Sequence, residues 1–96
     1  MVDKKIKGPK KLERHFKGVS NHRRIQILLL IAKEPEITLI GIAEAVKGNM
    51  KTIAEHVRRL TLAGLVEKRY VSREVRHVLT PYGRTFHSFI ETFSRS

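Results

Sequence analysis

Lys51, Thr52, Glu55, Arg58 and Arg59 crowd into nine consecutive positions. At 100° per residue Lys51, Glu55 and Arg58 turn to one side of a helix, while Ile53, Val57 and Leu60 turn to the other. Long cationic heads on such a face bind anions; they break no bonds. A second set of cations, Arg69, Arg73 and Arg76, falls in a stretch that alternates apolar and polar residues. A third, Lys4, Lys5, Lys7, Lys10 and Lys11, crowds the start of the chain. For catalysis the sequence offers no Gly-rich phosphate loop and no paired-carboxylate arrangement, so no catalytic residue and no enzymatic activity are expected. Cysteine is absent, which excludes disulfides, thiolate metal sites and thiol nucleophiles and fits a cytoplasmic location. The five histidines are scattered singly. Only His87 with Glu91 has ligand spacing on a helix, two ligands where zinc takes about three or four. No metal and no cofactor are expected.

The formal net charge is +11, and it is unevenly spread. Residues 1–17 carry seven Lys or Arg against two acids, 18–46 three against three, 47–76 eight against three, and 77–96 two against one. Two basic blocks flank a neutral centre. A polyanion is the natural partner, because neutralising phosphates with Lys or Arg releases condensed counterions. The plain alternative is a basic surface kept for solubility. A membrane partner fits less well. The longest apolar run, Ile25 to Ala32, is interrupted by Gln26 and falls short of the roughly 18–20 residues that span a bilayer. The start of the chain has lysines but no apolar segment of the secretory kind.

The elements that must position these cations follow from caps and periodicity. Residues 1–11 read as a basic, flexible arm, since five lysines, Gly8 and Pro9 offer nothing to a core. Residues 12–96 read as one domain. Leu12 and Phe16 predict a short helix ended by Gly18. Ser20 or Asn21 caps a helix from His22 to Lys33 that is apolar on all sides, and therefore central or shared between subunits, with Pro35 as its stop. Thr38 caps a helix over 39–46. Asn49 caps another over 50–63, with Gly64 after it. From Val66 to Leu79 the period shifts toward two, which predicts a β-hairpin reversing near 72–74. Thr80 and Pro81 then open a last helix with Tyr82, Phe86, Phe89, Ile90 and Phe93 along one stripe. The fold class is mainly α with a small antiparallel hairpin.

Two short helices joined by a tight turn, the second apolar inside and basic outside, form a helix-turn-helix whose second helix fits the major groove of DNA. The run LIGIAEAV at 39–46, with TIAEHVRRL at 52–60 and AGLV at 63–66, resembles the winged helix-turn-helix regulators of the ArsR type. RIQIL at 24–28 is similar to the helix that precedes the motif in that family, and LTPYGR at 79–84 resembles the wing exit shared with MarR-like repressors. The resemblance implies a homodimer on double-stranded DNA, with the helix over 50–63 in the major groove and the hairpin over 66–79 as a wing on the backbone.

Candidate DNA contacts are Asn49, Met50, Lys51, Thr52, Ala54, Glu55, Arg58 and Arg59 on the helix and Arg69, Arg73 and Arg76 on the wing. Met50 and Ala54 depart from the polar residues common at those places, and neither can make bidentate hydrogen bonds to a base. The glycine usual in the turn is replaced by Lys47, a substitution expected to cost about 1 kcal/mol of left-handed strain. Leu12, Phe16, Tyr82, Phe86, Phe89, Ile90 and Phe93 are the candidate dimer interface. The expected function is a sequence-specific dimeric repressor, with no effector indicated. The alternatives are a general or architectural nucleic-acid binder and a winged domain used for protein contacts. On those readings the wing arginines serve as edge-strand protection, and Arg58 and Arg59 as a solvated helix face.

Overall fold

Among the described residues, side-chain oxygens start four of the five helices, each at a position the sequence marks. The computed structural model describes residues 6–96, so Lys4 and Lys5 of the expected arm lie outside the described residues. Helix α1 spans Pro9–Val19, α2 His22–Lys33, α3 Leu39–Val46, α4 Met50–Leu62 and α5 Pro81–Ser94. Asn21 Oδ1 accepts from the N–H groups of Arg23 and Arg24, Thr38 Oγ1 from Gly41, Asn49 Oδ1 from Lys51 and Thr52, and Thr80 Oγ1 from Gly83. Each cap supplies an acceptor to N–H groups that have no partner inside the helix.

Helix α1 differs from expectation at both ends. It begins at Pro9, inside the stretch read as an arm, because proline at the first helical position loses no hydrogen bond and already has helical φ. It also runs through Gly18 to Val19. Gly18 is not a terminator: a Cβ there would collide with that of Ala63, so the bare backbone lets α1 lie against the end of α4. The buried His15 seals this contact, its Nδ1–H donating to the Ala63 carbonyl at 2.6 Å.

Helix α2 is the central helix, as its all-round apolar sequence requires. Ile27, Leu28 and Ile31 are completely buried, Ile25, Leu30 and Ala32 pack against the same core, and α1, α3, α4 and α5 all touch it. Ile42 of α3, Ile53 and Leu60 of α4, and Leu65 beyond the end of α4 are fully buried in the same core. Buried side chains of this size stabilise by about 1.5–3 kcal/mol each.

The expected hairpin is present as β2 (Val66–Val71) and β3 (Glu74–Leu79), paired from Val66↔Leu79 to Val71↔Glu74. Ser72, the first residue of the two-residue loop, takes φ 56°. A third strand was not anticipated. β1, only Ile37–Thr38, pairs antiparallel with His77 and Arg76, which makes β3 the middle strand of the order β1-β3-β2. The buried His77 pins this edge through Nδ1–H to the Ile37 carbonyl at 2.9 Å.

The α3–α4 turn resolves the displaced glycine. Lys47 adopts φ 57° and ψ 45°, the left-handed conformation expected to be strained in a residue with a Cβ. Gly48 is demanded by space rather than by φ: a Cβ there would stand 2.6 Å from Ile53 Cδ1.

Candidate nucleic-acid interface

The inner face of α4 is locked into the core by Ile53, Val57 and Leu60, each buried. That fixes which residues point away from it. Lys51, Thr52, Arg58 and Arg59 are exposed, and Met50 is 44% exposed. Asn49 is committed to the start of the helix, since its side-chain oxygen takes two backbone N–H groups at 2.9 and 3.2 Å. Only its amide nitrogen is left to face a ligand.

Glu55 is the centre of an ion-pair cluster. It accepts from Arg58 at 2.9 and 2.7 Å and from Arg59 at 2.9 Å. The two guanidiniums hold its carboxyl at about 2, well below the usual carboxylate range. In the free protein Glu55 is therefore ionised, and it tethers the two arginines on the outer face of the helix. Behind them, His56 Nδ1 lies 3.3 Å from Arg24 Nη1 and ties α4 to α2. Partial burial, with the charges of Arg24 and Arg23, pushes this imidazole below its ordinary value, so it accepts rather than donates.

On the hairpin, Arg69 and Arg76 are register partners, two like charges directly across the sheet. Each is offset by its own acid. Arg69 meets Glu36 at 3.2 Å and Arg76 meets Glu74 at 2.7 Å. Arg73 sits at the exposed loop, with no ion-pair partner among the described residues. The three wing arginines are thus unequal, a distinction invisible in sequence because Glu36 is 33 positions from Arg69.

The candidate dimer residues gather only in part. Phe16 and Phe86 meet edge to face at 5.1 Å, and Phe89 and Phe93 stack at 5.6 Å. With Val19, Ile25 and Ile90 these rings line an apolar groove of about 440 Å³ between α1 and α5. Leu12, at 41% exposed, lies beside the same rings. Phe86 and Ile90 are also packed against the protein's own core. Tyr82 stands apart, 5.2 Å from the His15 ring and 4.2 Å beneath the Lys7 ammonium. His87 and Glu91 pair at 3.6 Å. Among the described residues no three His, Cys, Asp or Glu side chains converge as metal ligands would. No helix among those residues is long and apolar enough to cross a membrane.

A family model described as winged helix-turn-helix DNA-binding matches residues 20–67, from the cap of α2 into the first strand of the wing. The chain belongs to this family. The winged helix-turn-helix assignment makes it a DNA-binding protein and not an enzyme. Its fold is shared by the homodimeric winged helix-turn-helix DNA-binding domain of a possible ArsR-family transcriptional regulator from Mycobacterium bovis. That comparison gives a TM-score of 0.83 and 25% identity, covering 99% of this chain and 88% of that one. HlyU from Vibrio cholerae gives a TM-score of 0.81 at 20% identity, covering 95% of this chain and 99% of HlyU. FabT from Streptococcus pneumoniae, solved in complex with DNA, gives 0.72 at 17% identity, covering 88% of this chain and 65% of FabT. No match was found among curated protein sequences. The ArsR-type resemblance in the sequence is thus in line with the Mycobacterium bovis neighbour, itself described as a possible ArsR-family regulator.

Proposed function

We propose that this winged helix-turn-helix protein is a sequence-specific transcriptional regulator, a repressor that binds double-stranded DNA as a homodimer. Helix α4 enters the major groove and the β2–β3 wing rests on the backbone. The observation that carries this reading is the division of α4 into a buried apolar face and an exposed N-terminal half bearing Lys51 and Thr52. Such a helix is rigidly aimed, and its outward groups are free to meet base edges. The homodimeric state of the Mycobacterium bovis domain supports a dimer here, and the apolar groove between α1 and α5 offers the surface for it. Two recognition helices set about one DNA turn apart, near 34 Å, then read a palindrome, and a dimer seated across a promoter occludes it.

A second reading, a general or architectural nucleic-acid binder, is favoured by the tethering of Glu55 and by apolar Met50 at the head of α4. Selection of bound duplexes from a random pool separates the two. A palindromic consensus is expected; recovery of unbiased sequence at undiminished affinity means that the general reading is right.

A further inference from the structure

The polar groups of α4 are largely engaged within the protein, whereas the apolar ones beside them are open. Glu55, Arg58 and Arg59 hold one another, and the Asn49 oxygen is used as a cap. Next to them Ile40 at the head of α3 is 59% exposed and Met50 at the head of α4 is 44% exposed. With Ala43 and Gly48 they line a shallow groove of about 530 Å³ where the two helices meet. Ala54 follows Met50 by one turn on the same side of α4.

Two large apolar side chains left side by side in water gain from being covered, and the charge around them says by what. Lys47 borders the groove, Lys51 follows Met50, and Glu44 is the one acid on its rim among the described residues. The occupant is therefore anionic overall and offers apolar groups at the point of contact. In the major groove the thymine C5-methyl meets that description, since it is the apolar group among base edges that otherwise carry hydrogen-bond donors and acceptors.

We propose that Ile40, Met50 and Ala54 read thymine through its 5-methyl group, so that each half-site carries thymines opposite the α3–α4 corner. The proposal rests on α4 lying in the major groove. It assigns to the two apolar departures from the family pattern a base-reading role of their own.

The test uses the full chain and the duplex enriched from a random pool, resynthesised with deoxyuridine in place of thymidine. This removes the methyl groups and keeps base pairing. Each contacted methyl that is lost is expected to weaken wild-type binding roughly fourfold, the equivalent of one buried methylene. Met50→Ala and Ile40→Ala are expected to bind the thymidine and deoxyuridine duplexes more nearly alike, at the affinity the wild type has for the latter. Equal wild-type affinity for both duplexes overturns the proposal and leaves groove binding intact. A deoxyuridine effect of the same size in wild type and both variants belongs to DNA shape and overturns it too. If no sequence is enriched, specific recognition fails along with it. Ile40 and Met50 are exposed, so truncating either leaves the core intact and a folding defect does not obscure the comparison.

Discussion

DNA binding is expected to weaken at least about a thousandfold when salt is raised from 50 to 200 mM. The cations expected to drive this are the exposed ones that no acid among the described residues tethers. Arg58 and Arg59 are tethered to Glu55, Arg69 to Glu36 and Arg76 to Glu74, so each offers a phosphate only a partly neutralised charge. With Lys51 assigned to a base, Lys47, Lys68 and Arg73 remain exposed toward phosphates, and among the described residues none of the three has an ion-pair partner. Three such cations per protomer make about six in a dimer, for a slope near −5 in log affinity against log salt. A monomer engaging only three would lose roughly fortyfold over the same range. The salt titration thus reports both the electrostatic mode and the number of protomers on the duplex. A flat response contradicts both.

Phe89→Glu or Phe93→Glu is expected to turn a dimer into a folded monomer. These rings are 53% and 67% exposed and stack mainly on each other, so replacing either one removes little from the core. In a two-fold interface the same change leaves a carboxylate buried without a partner, a penalty of several kcal/mol. It also forfeits about 1.5–3 kcal/mol of ring burial. Since a C2 contact repeats each residue, the penalty applies twice. Phe86 and Ile90 are poorer probes, because they also support the protein's own core. Sedimentation at micromolar concentration decides the matter. A wild-type monomer, or a variant whose mass stays that of a dimer, contradicts pairing through α1 and α5; a variant monomer with wild-type helicity agrees with it.

The sequence made the long elements and their caps legible, because each rests on local chemistry. Asn21, Thr38, Asn49 and Thr80 cap where their hydrogen-bonding side chains stand before apolar periodicity, and the aromatic stripe of α5 follows from spacing alone. What escaped the sequence is non-local. Two-residue β1 has no periodicity to detect, and it exists because His77 and Arg76 pair with it across the sheet. Gly18 resembles a helix stop until Ala63, 45 positions away, is brought against it. At the candidate site, cationic residues were visible, but their availability was not. Glu55 with Arg58 and Arg59, and Glu74 with Arg76, are pairs of near neighbours in sequence, whereas Arg69 is tethered only because Glu36, 33 positions away, arrives beside it on folding. The openness of Ile40 likewise became apparent only when α3 and α4 met at a corner.

The central claim, that α4 reads bases while the wing anchors the backbone, is tested most directly by comparing two substitutions on two DNAs. Affinities of the wild type, Lys51→Ala and Arg73→Ala would be measured for the selected duplex and for bulk duplex at one salt concentration. Lys51→Ala is expected to lower the ratio of selected to bulk affinity about tenfold, a loss of roughly 1–3 kcal/mol at one base contact, while bulk binding changes little. Arg73→Ala is expected to weaken both alike, as a phosphate contact does. A Lys51→Ala protein that keeps the wild-type ratio would contradict the placement of α4 in the groove.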